Sequence, residues 1–410
     1  MSDEDEETLE AIALDSMPVE VKEAAVPVQL NQLQPWHRPR KQMVRKNQWL
    51  RLADRLINNL LGTPGLRGVA GKWPELRYLT LPGIDFFDVR LLAENCYRNE
   101  CQLTSTGFLA ANEESPIRAR AEVRQAALVA SGHITQESAT LWRNFEEISS
   151  TAGQAYKEIC QRGPFQIVNV DACGSIALPS HDHANRMIDA LHRLIEFQID
   201  KLSSHWLLFI TTDVRPENLS DNTLSAITEA IRVNAANNVE FSARTQDYFG
   251  KYIEDGPNDI DTIIETTSQK EGRPFVDIFS TGLGKWILHL AKEKNWDMKM
   301  HHSYCYSTRR EHRDGPTMPC LAFEFIPPPP GLQDHFAASR AEPAPGGVNV
   351  DTSVRVIEMI AGMVDLDELM NEDAELRQQL LTSTRNLMDE ANYSQATMDS
   401  LADFDNSPMP

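Results

Sequence analysis

Hydrophobic and polar positions run along this chain in two rhythms. From Trp49 the apolar positions 49, 52, 53, 56, 57, 60 and 61 recur at helical spacing, and Gly62 and Pro64 end that helix. Between residues 75 and 330 strand and helix patterns alternate. LRYLTLPG (76–83) reads as a strand and DFFDVRLLAENCYRN (85–99) as a helix. CQLTSTGF (101–108) reads as a second strand, followed by a helix over 115–132 with Pro116 in its first turn. A helix near 150–161, the strand FQIVNVD (165–171) and a helix near 183–202 come next. The strand HWLLFITTDV (205–214) precedes helices over 218–238 and 275–296. MKMHHSYCYS (298–307) and MPCLAFEFIP (318–327) read as two strands joined by the loop TRREHRDGP.

Repeated strand–helix units predict a parallel sheet with helices on both faces. The last two strands are joined by a short loop and must be antiparallel. The expected fold class is therefore α/β, with a Rossmann-like, mostly parallel sheet. A tail over 1–30 and a basic helical extension over 31–70 precede the α/β domain, 71–328. A Pro- and Gly-rich linker spans 329–350 and an acidic helical segment 351–390. The last residues, 391–410, read as a disordered tail. The apolar spacing in 352–390 suits a helix docking in a partner's groove.

Charge sharpens this division. The chain of 410 residues carries −21. Residues 1–30 hold −8 and residues 351–410 hold −10, which leaves −3 for the middle. The acidity thus belongs to the ends and does not exclude a nucleic-acid partner. The extension supplies Arg38, Arg40, Lys41, Arg45 and Lys46 beside Trp36 and Trp49. Arg309 and Arg310 form a second basic cluster. Both suit phosphate contacts. The competing expectation is intramolecular: the acidic ends lie on these bases and screen them. No apolar run has membrane-spanning length, and the N-terminus lacks signal-peptide order, so a cytoplasmic protein is expected. Six cysteines without a CxxC pair read as thiols rather than a disulfide framework.

The order of elements resembles the class I S-adenosylmethionine-dependent methyltransferase fold over roughly residues 70–328. The resemblance implies S-adenosylmethionine as cofactor. In that family a glycine-rich turn after the first strand approaches the cofactor. Here the turn reads LTLPGIDFFD, with Gly83 its only glycine. The resemblance places the cofactor over Pro82, Gly83 and Asp85, with Glu113 or Glu114 as the acid after the second strand. The strand-end motif beside the transferred methyl falls on VNVDACGS, hence on Asp171, Ala172 and Cys173. Asp171 would orient or deprotonate the acceptor. The Asp/Asn-Pro-Pro-aromatic pattern of amine methylation is absent, as is the Pro-Cys pair of cytosine-C5 enzymes.

Plainer readings stand beside these. A strand-end aspartate such as Asp171 also caps turns. Cys173 suits a small, partly buried thiol. His181, Asp182 and His183 are consecutive and point apart, so no metal site is expected and Ser180 or Asp182 reads as a helix cap. His301 and His302 point to opposite faces of their segment. STGLGKW (280–286) lacks the first glycine and the Ser/Thr of a phosphate loop. Two functions follow. The first is a methyltransferase acting on nucleic acid. The alternative is a catalytically inactive methyltransferase-like scaffold in a multi-protein system, such as a bacterial defence system.

Overall fold

The structure is a computed structural model that describes residues 33–62, 73–112, 115–172, 174–178, 186–253, 259–307, 315–329 and 352–405. Its centre is one mixed sheet. In chain order the strands are β1 (Glu75–Thr80), β2 (Gln102–Phe108), β3 (Ala139–Leu141), β4 (Ile167–Asp171), β5 (Trp206–Thr211), β6 (Asp297–Met300), β7 (Tyr304–Tyr306), β8 (Met318–Ile326) and β9 (Val364–Asp365). Their spatial order is β3-β2-β1-β4-β5-β8-β7-β9, with β6 also on β8. The first five strands are mutually parallel, and β8 runs antiparallel to β5, β6 and β7. This arrangement is compatible with a Rossmann-like fold. The predicted antiparallel pairing of the last two strands is present, although 298–307 is split into β6 and β7 at His301–Ser303.

The helices are α1 (Pro39–Val44), α2 (Arg51–Gly62), α3 (Phe87–Arg98), α4 (Pro116–Ala130), α5 (Gln154–Arg162), α6 (Arg186–Lys201), α7 (Asp221–Asn237), α8 (Val239–Gly250), α9 (Ile260–Ser268), α10 (Arg273–Glu293), α11 (Thr352–Ala361), α12 (Leu366–Glu372), α13 (Ala374–Glu390), α14 (Gln395–Asp399) and α15 (Leu401–Asp405). A π-helical turn, Arg45–Leu50, joins α1 to α2. The strands sort their side chains by alternation. Val168, Val170, Leu208 and Ile210 point to a core shared with α5, α6 and α10. Ile167, Leu207 and Phe209 point to a second core with α2, α3 and α4. Burial on both faces is why β5 reads as a nearly continuous apolar run and why β4 is apolar apart from the buried Asn169 and the strand-end Asp171.

Both flanking segments belong to these cores. Trp49, Leu52, Ala53, Leu56 and Ile57, predicted as one helix face, join the second core. Val356 and Ile360 of α11 join the first, while Leu366, Met370 and Leu380 join the second. The apolar face of 352–390, expected to meet a partner, is therefore covered by the protein's own sheet and helices. The expected disordered tail differs too: from 391 to 405 the chain forms α14 and α15, with Tyr393, Met398 and Leu401 buried. Alternating short polar and apolar stretches hid these two five-residue helices. The expected 1–30 tail and nearly all of the 329–350 linker lie outside the described residues, as do His181, Asp182 and His183. Among the described residues no helix is long and apolar enough to cross a membrane.

STGLGKW lies in the middle of α10 rather than in a loop. A Cβ on Gly282 would overlap Ile227 Cγ2 and lie 2.8 Å from the Ile227 carbonyl oxygen. Gly282 thus lets α7 and α10 approach backbone to side chain. Gly282→Ala gains up to about 1 kcal/mol of helix propensity. The backbone oxygen cannot yield without moving α7, which costs roughly 1–3 kcal/mol. A net loss is expected, read as a lowered urea midpoint at unchanged slope. His301 and His302 diverge as expected: His301 is buried with Nε2 2.9 Å from Glu324 Oε2, and His302 is exposed.

Candidate functional site

Parallel strands of an α/β sheet leave a crevice at their carboxyl ends where neighbouring connections run to opposite faces. Here that point lies between β1 and β4. A crevice of about 470 Å³ opens there. The turn after β1 lines it with Pro82, Gly83 and Asp88, and the end of β2 with Phe108 and Leu109. The segment after β3 adds Asn144, Phe145 and Glu146, and the end of β4 adds Asp171, Ala172 and Gly174. Trp36, Arg38, Lys41 and Arg45 line it from the N-terminal segment. One end is aromatic, with Phe108 and Phe145 edge to face at 5.7 Å. The other end is charged.

The β1–α3 turn turns sharply with one glycine. Phe86 caps α3 in the left-handed region, with φ of 54°. A bulky residue pays for that conformation in strain, which the surrounding packing must hold in place. Gly107 at the end of β2 supplies the space: a Cβ there would stand 2.7 Å from Pro82 Cγ. Trp36 covers the turn, its Cε2 3.3 Å from where a Cβ on Gly83 would lie.

The predicted cofactor residues Pro82, Gly83, Asp85, Asp171 and Ala172 all come together on this crevice. Glu113 and Cys173 lie outside the described residues. Asp85 plays a different part from the one expected of it. It is wholly buried and receives Arg124 Nη1, Trp36 Nε1 at 2.9 Å and the Tyr393 hydroxyl at 2.8 Å. His37 Nε2 lies 3.3 Å from the same carboxylate and 2.9 Å from the Tyr393 hydroxyl. Burial, reinforced by Arg45, pulls His37 down to about 3. The ring is therefore neutral at pH 7, and the Asp85 charge is met by Arg124. The carboxylate is buried and both of its oxygens already accept from the protein, so its place here is structural.

The basic segment is turned inward. Arg38, Arg40, Lys41 and Arg45 are each at most 8% exposed, so they do not form an open phosphate-binding stripe; Lys46 is exposed. Arg309 and Arg310 lie outside the described residues. Arg40 donates to Asp367 and, at 2.6 Å, to Asp405, both in the acidic C-terminal part. The intramolecular expectation thus holds for Arg40. Lys41 Nζ donates to Asp171 Oδ1. Arg45 Nη1 donates to the Trp36 carbonyl at 2.9 Å, and its buried Nε has no partner among the described residues. Burial lowers the Arg45 guanidinium's hold on its proton, and nearby Asp171 and Asp88 oppose that.

Reasoning from sequence missed Asp88, and it set Trp36 beside the basic residues rather than over Gly83. Asp88 Oδ2 accepts from the Tyr78 hydroxyl at 2.7 Å and from Thr80 Oγ1 at 2.5 Å. The signal was present: DFFD places a second acid three residues after Asp85, at the second position of α3. For Trp36 the sequence offers only an aromatic beside basic residues. Among the described residues no group of histidines, cysteines and acids could hold a metal ion.

A family model described as PP_RS20740-like matches residues 30–403. No curated protein matches the chain.

Proposed function

We propose that this chain, which belongs to the PP_RS20740-like family, is an S-adenosylmethionine-dependent methyltransferase whose cofactor occupies the crevice between Gly83 and Asp171. The observation that carries the reading is the crevice itself. It lies at the switch point of a sheet ordered β3-β2-β1-β4-β5-β8-β7, and the parallel strands give way to antiparallel pairing at β8, the feature that the resemblance to a methyltransferase implies. Its volume of about 470 Å³ suits a ligand of nucleoside size.

The residues present fit such a ligand. Phe108 and Phe145 offer an aromatic wall to a base. Asp88 and Glu146 offer carboxylate oxygens to ribose hydroxyls. The orphaned, buried Nε of Arg45 is a donor in need of an anion, which a ligand carboxylate would supply. When bound, the cofactor supplies an electrophilic methyl on a sulfonium. The chain's own part is alignment of the acceptor, exclusion of water and removal of a proton, with Asp171 the group placed to take it. The inward turn of Arg38, Arg40, Lys41 and Arg45 removes the main support for nucleic acid as acceptor.

One observation favours the scaffold reading: Trp36 already covers Gly83 and Lys41 already engages Asp171. Calorimetric titration with S-adenosylmethionine and S-adenosylhomocysteine separates the two. Micromolar binding, about −8 kcal/mol, is expected. Gly83→Trp, whose side chain has no room beneath Trp36 and must push into the crevice or displace that indole, should weaken it at least ~100-fold, or about 3 kcal/mol. Absence of heat at several temperatures from folded protein would overturn the enzyme reading in favour of the scaffold.

A further inference from the structure

We propose that Lys41 is a methyl acceptor, modified within its own chain at the acceptor end of the crevice; this rests on the methyltransferase reading. Lys41 lies on α1, and its side chain is 4% exposed. Its Nζ donates to Asp171 Oδ1 and stands 4.9 Å from the centre of the Trp49 ring. A carboxylate on one side and an aromatic face on another is a recognition pattern for an alkylammonium group. The group sits on the crevice wall, at the carboxyl end of β4, where an acceptor would have to be.

Stability alone is a poor reason for this placement. A buried ion pair repays its desolvation barely or not at all, and packed apolar side chains of similar volume do as well or better. Lys46, five residues on, is exposed. The same short segment thus carries one lysine for solvent and one aimed at Asp171.

The step balances without any oxidant. Lys41 Nζ gives one proton to Asp171 along the existing hydrogen bond and gains a free electron pair. The Nζ–CH₃ bond forms as the S–CH₃ bond breaks, and the sulfur keeps that bond's electron pair. S-adenosylhomocysteine leaves. The product is already a secondary ammonium and carries the positive charge; the proton held by Asp171 leaves to solvent, and the restored carboxylate keeps its contact with the methylated Nζ. The acceptor class this defines is a primary alkylamine.

The test uses the full chain. It is incubated with S-adenosylmethionine carrying an isotopically labelled methyl, digested and analysed by mass spectrometry, with cofactor binding measured in parallel by calorimetry. The expected result is a methyl group on Lys41, either labelled or already present from expression. None is expected on Lys46, and labelling should fall at least tenfold in Asp171→Asn. Unmodified Lys41 in wild-type protein that binds the cofactor would overturn the inference and leave the methyltransferase reading standing. Equal labelling of Lys41 and Lys46 would mark unspecific alkylation and overturn it as well. Absence of cofactor binding would remove the reading and the inference together.

Discussion

Asp85→Ala is expected to destabilise the protein by about 3–5 kcal/mol, the cost of breaking a buried charge pair by removing one partner. Three donors converge on this carboxylate from three parts of the chain: Trp36 before α1, Arg124 on α4 and Tyr393 after α13. Alanine strands all three in the interior. Arg124 is the costliest, because its charge loses its carboxylate while remaining buried. Its Nη2 bond to the Ala391 carbonyl, at 2.9 Å, does not replace that charge. Asp85→Asn keeps the shape and one acceptor oxygen and should lose less, since the charge is removed but the indole and phenol retain a partner. Urea unfolding followed by tryptophan fluorescence measures both. A loss under 1 kcal/mol in Asp85→Ala would show that the three donors find water or other partners, and that Asp85 is not the tie between the flanking segments and the β1–α3 turn.

The alternation of the α/β core was legible because burial imposes period. Strands β2, β4 and β5 fall within the predicted spans and β1 begins one residue before its span, while α3, α4, α7 and α10 fall within or close to theirs. The three-residue edge strand β3 is too short to show a period, and α8 and α9 fell in stretches of weak pattern. The site was half legible. Position along the fold brought Pro82, Gly83 and Asp171 to one crevice. The basic extension was misread for a physical reason. A cluster of arginines and lysines looks the same in sequence whether it faces solvent or faces acids more than 300 residues away. Composition did leave a trace: the opposite charges of the extension and of 351–410 are the two halves of one contact.

That contact changes the meaning of the flanking segments. Neither is an appendage. The N-terminal segment crosses the carboxyl edge of the sheet and forms one wall of the crevice. The C-terminal segment holds it there through Tyr393, Asp367 and Asp405. The single glycine of the β1 turn belongs to the same design. A conventional glycine loop leaves its backbone bare for a ligand, whereas here Trp36 covers Gly83 and hydrogen-bonds into the turn at Asp85. Access to the crevice and seating of the two flanking segments are therefore mechanically linked.

Arg40→Met tests that link at its strongest point. The Arg40 guanidinium bridges Asp367 and Asp405, and the side chains of all three are at most 10% exposed. Burial works against its charge, but the two carboxylates outweigh it and raise its hold on the proton. Methionine preserves much of the stem's packing and removes the charge. Asp405 keeps Arg377, at 2.8 Å, and Asp367 keeps the Ser307 amide at 2.5 Å, so neither acid is left wholly bare. The expected loss is accordingly about 3 kcal/mol, at the lower end for a broken buried pair. A cycle with Asp405→Asn should give a coupling of about 1–3 kcal/mol. The second readout is the crevice. If α1 is seated by Arg40, Arg40→Met should also release Lys41 and Trp36 from the site and raise the dissociation rate of any ligand bound beneath them. Full stability in Arg40→Met, with zero coupling to Asp405, would mean that α1 is held by its apolar contacts alone and that the charges merely neutralise one another.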